Sequence, residues 1–217
     1  MRLSSILAVL VLFLAIHHVH GEGVQRPDAP KQNMVVNTMA NVATLSANFL
    51  ATAKDLQLDY AVMNISKSPL YVVDVSISVT REGTQVLIGV PKVELAASCE
   101  VHLLSRLQRL DPRRRYAAPP SAYASLLEVG KSKKVSVSLP FPLIPTNLPP
   151  SRDVQEILCD RVNFTLGVIP ASPSVPAAEQ EVAGVKLWRL PIYEAFEYQQ
   201  ELKVVATVPN IRVLVNK

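Results

Sequence analysis

Strict alternation of apolar and polar residues is the feature that most constrains the fold of this chain. Between Val73 and Thr80, valine and isoleucine alternate with aspartate, serine and threonine. A period of two is typical of a half-buried β-strand, whereas an amphipathic helix repeats every 3.6 residues. The same alternation occurs in 56–63, 134–139 and 162–168. Because no long helical period interrupts it, the pattern predicts a strand-rich fold.

Turn-forming residues separate the further predicted elements. Residues 34–53 are interpreted as an extended first strand region, with a short helix as the alternative, and Arg81 to Thr84 as a hairpin turn. We predict one or two helical turns over 151–158, with Ser151 as the N-cap residue. The remaining predictions are strands near 101–104 and 185–190, a return strand over 85–90, and a closing pair, 202–208 and 211–215, around Pro209-Asn210.

About nine short strands with polar outer faces favour two packed sheets. We therefore predict an all-β fold, an antiparallel two-layer β-sandwich with little helix, immunoglobulin-like in architecture only. The proline-rich segment 139–150 is interpreted as an extended crossover between the sheets, because proline cannot donate to a central strand ladder.

The first twenty-one residues have the layout of a secretory signal peptide. Arg2 precedes an apolar run from Ile6 to Ile16, which is shorter than the about twenty residues that span a bilayer. Small residues are needed at the cleavage site, and Val19-His20-Gly21 fits better than Phe13-Leu14-Ala15. We expect cleavage after Gly21, a mobile segment over 22–40, and one sandwich domain over 41–217. The predicted location is secreted or periplasmic.

Composition argues against several chemistries. Three of the four histidines fall within the predicted leader, and the other is His102. No glycine-rich phosphate-binding loop is present, and the net charge of +4 is small for a nucleic-acid-binding protein. We therefore expect no cofactor, no metal site and no nucleic-acid partner. His102 is a candidate lone base with a carboxylate such as Glu100, two residues away on the same strand face, and a structural histidine is the favoured alternative.

The two cysteines, Cys99 and Cys159, are expected to form a disulfide. An even, sparse count in an exported chain favours a structural bridge over a redox pair, and no Cys-x-x-Cys motif is present.

Two segments are candidates for partner binding. The aromatic segment, defined as 188–198, contains Trp188, Tyr193, Phe196 and Tyr198 among charged residues. Such residues form binding hot spots when exposed, and the favoured alternative is that they plug the end of the core. The arginine cluster comprises Arg106, Arg109, Arg113, Arg114 and Arg115. Its last three residues, Arg113 to Arg115, are a candidate anion-binding loop, and a solvated loop is the favoured alternative.

Asn64-Ile65-Ser66 and Asn163-Phe164-Thr165 match the N-glycosylation acceptor motif, and both asparagines are predicted on exposed positions.

These features predict an exported, non-enzymatic β-sandwich that acts as a binding or interaction module for a protein, glycan or surface polymer. Two alternatives remain open. One is a secreted hydrolase that uses paired carboxylates, since Asp and Glu are scattered among the strands. The other is an envelope structural or assembly factor held at the membrane by an uncleaved leader.

Overall fold

Almost every alternating segment of the sequence forms a strand. The structure, a computed structural model, describes residues 35–110 and 121–217, with side chains from Asn41 onward. Within these residues the elements in chain order are β1 (Val35–Ala40), β2 (Ala43–Ala51), β3 (Asp55–Asn64), β4 (Leu70–Thr80), β5 (Gly83–Ile88), β6 (Lys92–Leu95), β7 (Glu100–Ser105), β8 (Ser121–Leu127), β9 (Ser132–Pro140), β10 (Val154–Pro170), β11 (Ala178–Val182), β12 (Val185–Pro191), α1 (Ile192–Tyr198) and β13 (Gln200–Asn216).

The strands form two sheets that pack face to face, which confirms the all-β sandwich. The smaller sheet has the order β1-β2-β3-β9, with every pair antiparallel. The larger sheet has the order β11-β12-β8-β4-β10-β7-β6, with β13 on the other edge of β10 and β5 paired to β4. One pair departs from the predicted antiparallel arrangement: β7 and β10 are parallel, because the chain visits the smaller sheet through β9 between them.

The main core lies between the sheets and follows the period of two. In β3 the apolar positions Leu56, Leu58, Tyr60 and Val62 are buried, while the residues between them are more exposed. Phe164 of the facing sheet packs its ring against Tyr60, with centroids 5.0 Å apart. A second, smaller core includes Tyr71, Val73, Leu107, Ile169 and Ala195. Because α1 contributes Ala195 to it, the helix buries one side of the larger sheet.

The predicted crossover is present. Residues 141–153 lead from β9 in the smaller sheet to β10 in the larger one. Leu143 is buried midway, and its backbone bonds to β13 through Arg212 and Leu214.

Two local predictions were wrong. Residues 154–158 begin β10 instead of a helix, because they pair with 212–216 of β13; the Ser151 hydroxyl accepts from the Asp153 amide. The predicted closing pair is one continuous strand, β13, in which Asn210 (φ 64°) lies at an irregularity of the β10–β13 register. The aromatic segment also contains a helix, α1, which no sequence prediction covered.

The domain also starts earlier than expected. Residues 35–40 form β1 and pair with β2, so the sandwich begins no later than Val35 rather than at residue 41. The predicted leader, 1–21, and the segment 22–34 lie outside the described residues.

Candidate functional site

The larger sheet contains a fork. Strands β7 and β4 meet the same edge of β10 from opposite directions: Ser105 of β7 pairs with Leu166, and Val72 of β4 pairs with Val168. Beyond Val72, β4 leaves β10 and takes β5 as its neighbour instead. The space where β4 and β7 diverge is a cleft of about 560 Å³, bounded by 73–77 on one side and 104–108 on the other. We refer to it as the fork cleft.

The walls of the fork cleft contain apolar and polar side chains in nearly equal number. Apolar lining includes Val73, Val75, Ile77, Leu104 and Leu107, and the polar lining is Asp74, Ser76, Lys92, Ser105, Arg106, Gln108, Ser121 and Tyr123. Small-molecule sites are typically concave, about 300–1,000 Å³, apolar and equipped with a few placed polar groups. The fork cleft matches that description in size, and its lining is more polar than is typical.

Two polar atoms of this wall are buried without a hydrogen-bond partner. Ser105 is 6% exposed, and neither its hydroxyl nor Nε of Arg106 bonds to any described group. Buried polar atoms in folded proteins are almost always paired, so an unpaired one calls for a specific reason. A ligand in the cleft is one such reason.

Asp74 forms the centre of a buried polar cluster beside the cleft. Its side chain has 0% exposure, and it pairs with the Lys133 ammonium at 2.6 Å. Its carboxylate also accepts from the Ser125 hydroxyl at 2.9 Å and the Tyr60 hydroxyl at 3.1 Å. Because Tyr60 and Lys133 belong to the smaller sheet, the cluster joins the two layers. Sequence alternation placed Asp74 on an exposed polar face, which was wrong, because both faces of β4 are covered at this point.

The groups around Asp74 all donate hydrogen bonds to it, so the cluster compensates the buried negative charge of its carboxylate. Burial raises the pKa of Tyr60 above its usual value, and the neighbouring Asp74 charge and hydrogen bond add to that effect, so Tyr60 stays a neutral donor. Lys133 also donates to Ser125 at 2.7 Å. An ammonium that donates to both a carboxylate and a hydroxyl does not accept a proton from that hydroxyl. The arrangement is therefore an ion-pair cluster that joins the two sheets, and it differs from a serine paired with a general base. We refer to the cluster of Tyr60, Asp74, Ser125 and Lys133 as the clamp.

Gly89 lets the two sheets approach each other closely beside Asp74. Its N–H donates to the Asp74 carbonyl at 2.6 Å, and its φ of +79° favours glycine. A Cβ at this position would lie 2.3 Å from Cγ1 of Val135 on the smaller sheet.

Helix α1 is fastened to the cleft wall by one side chain. Gln199, which follows α1, accepts from the Leu107 N–H at 2.7 Å and donates to the Leu107 carbonyl at 3.3 Å. The amide thus pairs with the end of β7 as a neighbouring strand would. Gly167 lies under it, and a Cβ there would approach Oε1 of Gln199 to 2.5 Å. A glycine at this position is what lets the helix and the cleft wall meet.

The aromatic segment is divided between surface and core. Tyr193 and Tyr198 are 54% and 46% exposed. Trp188 and Phe196 are partly buried against the second core, and the Trp188 ring lies 5.6 Å from that of Tyr71. A smaller cavity of about 200 Å³ at this surface is lined by Arg109, Leu110, Ile192, Tyr193, Phe196 and Glu197. Leu110 and Ile192 also line the fork cleft, so the two concavities adjoin.

The sequence carried a weak signal for α1. Ile192, Ala195 and Phe196 follow the i, i+3, i+4 spacing of a helix face, and Pro191 immediately precedes the first turn.

The arginine cluster is not a single site in the described residues. Arg113, Arg114 and Arg115 lie outside them. Arg106 lines the fork cleft and pairs with Glu201 at 3.0 Å, while Arg109 lines the smaller cavity.

The two predicted glycosylation positions differ from expectation. Asn64 is fully buried, and its amide nitrogen donates to the carbonyls of Ser68 and Leu127, so the expectation of an exposed side chain was wrong. The motif residue Ser66 closes this local turn by donating to Oδ1 of Asn64. Asn163 is half-buried, and its amide nitrogen donates to Glu100 at 3.2 Å.

Glu100 and His102 are neighbours as expected. Nε2 of His102 lies 3.1 Å from the Glu100 carboxylate, which also bonds Asn163. This polar group sits beside the disulfide between Cys99 and Cys159, whose Cα atoms are 5.4 Å apart, which confirms the predicted bridge. In the part of the chain that is described, no three His, Cys, Asp or Glu side chains converge as metal ligands.

No protein-family model, curated protein or solved structure matches this chain. Functional conclusions therefore rest on the geometry of the fork cleft and its surroundings. Among the described residues, no helix has the length and apolar character needed to cross a membrane.

Proposed function

We propose that this protein is a non-enzymatic binding module whose ligand occupies the fork cleft. The observation that carries the proposal is a cleft of about 560 Å³ with a buried, unpaired Ser105 hydroxyl in a wall of mixed apolar and polar side chains. Apolar walls supply affinity by burial, and a few polar groups fix the orientation of a ligand. The cleft favours a concave, small-ligand mode over the flat contact with a protein or glycan that aromatic residues alone would suggest.

The aromatic surface gives the module a second contact area. Tyr193 is more than half exposed and lines the cavity next to the fork cleft, so a ligand extending out of the cleft reaches it. Exposed tyrosines bury much apolar area while ordering few torsions. Trp188 and Phe196 support this surface from the second core instead of forming it.

Mapping by NMR tests the proposal. A mixture of small neutral and charged fragments, titrated into ¹⁵N-labelled protein, should shift the amide signals of residues 73–77 and 104–108. Ser76 is exposed and lines the cleft, so Ser76→Trp should block these shifts without unfolding the protein. The control is Ser78→Trp, on the same strand and face but outside the cleft lining. Shifts absent from these residues, or unaffected by Ser76→Trp, would contradict the proposal.

Tyr193→Ala separates the aromatic surface from the core. Because the ring is largely exposed, we expect a change in unfolding free energy of at most about 1 kcal/mol. Fragment binding should weaken in the same variant. Phe196→Ala is the matched comparison and should cost more stability, since its ring packs on the second core. Equal stability losses in the two variants would argue against the surface role.

We further propose that the module is exported to the periplasm or the outside of the cell. The leader-like segment 1–21 and the disulfide support this, since disulfides persist in oxidising compartments. N-terminal sequencing of the exported protein should begin at Glu22. A full-length product that retains Met1 would contradict cleavage and favour the anchored alternative.

A further inference from the structure

Some polar groups that line the fork cleft have hydrogen-bond partners, and others have none among the described residues. The one carboxylate among its described lining residues, Asp74, already receives hydrogen bonds from Tyr60, Ser125 and Lys133. The unpaired atoms are the Ser105 hydroxyl, which can donate or accept, and Nε of Arg106, which can only donate. A ligand that pairs with Nε of Arg106 must therefore bring an acceptor.

The charged side chains that line the cleft give a second indication of the ligand class. Lys133 compensates Asp74, and Glu201 compensates Arg106. Lys92 also lines the cleft, and its ammonium contacts only the neutral Gln108 at 3.3 Å; no carboxylate of the described residues lies within ion-pairing distance of it. The Gln108 amide also donates to the carboxylate of Glu94 at 2.9 Å, and Glu94 does not line the cleft. Among the described lining residues, the side chain left without a counter-ion is therefore the cationic Lys92.

Another part of the lining is an apolar strip, although Ser76, Gln108, Ser121 and Tyr123 also line the cleft. Val73, Val75 and Ile77 follow one face of β4, and Leu104 and Leu107 lie across from them. Beyond the cleft the same face of β4 continues to Val79, which is 77% exposed. A ligand with an acceptor-rich head and an extended apolar body fits both parts of this wall.

We propose that the ligand is a small amphiphilic acid, with its carboxylate near Lys92 and Arg106 and its apolar chain between β4 and β7. This inference rests on the proposed function, since it names the ligand class for the same cleft. Hydrogen bonds to a charged acceptor are stronger than neutral ones, so the head group supplies selectivity while the chain supplies burial.

Three probes that share one chain test the ligand class. Octanoate, 1-octanol and octylammonium are titrated into the intact protein by isothermal calorimetry. We expect octanoate to bind about tenfold more tightly than 1-octanol, as one charge-assisted hydrogen bond provides, and octylammonium to bind most weakly. Lys92→Gln should reduce octanoate affinity severalfold and leave 1-octanol unchanged, because Lys92 is exposed and contributes only charge. Lys134→Gln, an exposed lysine away from the cleft, is the control.

The outcomes separate the two proposals. Binding of 1-octanol at least as tight as that of octanoate, abolished by Ser76→Trp, would overturn the acid inference and leave the cleft as a binding site. An octanoate affinity that Lys92→Gln does not change would overturn it too. If none of the three probes binds and the fragment mixture shifts no cleft signals, both proposals fail.

Discussion

The clamp between the sheets predicts a large loss of stability for Lys133→Met. Methionine keeps the unbranched stem of lysine but removes the ammonium that lies 2.6 Å from the fully buried Asp74 carboxylate. Removing one partner of a buried ion pair costs about 3–5 kcal/mol, because the other charge stays buried without compensation. Since the Lys133 side chain is 21% exposed, some water reaches the site, and we expect about 3 kcal/mol.

Urea unfolding followed by circular dichroism measures this loss. Lys134→Met is the matched control, since Lys134 is the next residue on β9 and is exposed; it should change the unfolding free energy by less than about 0.5 kcal/mol. The double variant Asp74→Asn/Lys133→Met should be more stable than Lys133→Met alone, because it no longer buries an unpaired charge. A loss for Lys133→Met below about 1 kcal/mol at neutral pH, or one equal to that of Lys134→Met, would refute the clamp.

Three further predictions concern the bridge, the helix anchor and the buried tyrosine. Cys99→Ala should lower the unfolding free energy by about 4 kcal/mol, because the bridge closes a loop of sixty residues; calorimetry that finds no loss would contradict this. Gly167→Ala should release Gln199 from Leu107 and speed amide exchange at Leu107 and in α1. Gly130→Ala strains only its own turn between β8 and β9, where φ is 70°, and should leave this exchange unchanged. The raised pKa of Tyr60 means that stability is fully present below about pH 10, where tyrosine in the unfolded chain ionises, and is lost as the pH rises further. Urea titrations should show a shallower alkaline loss in Tyr60→Phe, and an identical slope would refute the assignment.

Local patterns were sufficient to predict the sandwich. Each buried residue of β3 falls on one parity, and this parity follows directly from the period of two. The disulfide could be predicted equally well, because two cysteines have only one possible pairing. The alternation within a strand depends on adjacent residues, and the disulfide depends on the number of cysteines. Both can therefore be derived without knowing which strands pair.

The fork cleft could not be predicted in the same way. It exists because β4 and β7 meet the same edge of β10, and that pairing joins residues about sixty to a hundred positions apart. Burial of Asp74 has a similar origin, since Lys133 lies 59 positions away on the other sheet. Alternation indicates which side of a strand is apolar, but it does not tell whether the polar side is covered as well.

The location of a bound ligand tests the central claim most directly. Protein with ¹³C-labelled valine, leucine and isoleucine methyl groups is mixed with the tightest-binding probe, and nuclear Overhauser effects between probe and methyl groups are recorded. The fork-cleft account predicts contacts to Val75, Ile77 and Leu104 that disappear in Ser76→Trp. Contacts confined to methyl groups outside the cleft lining, such as Val154 and Leu158 on the exposed part of β10, would contradict it.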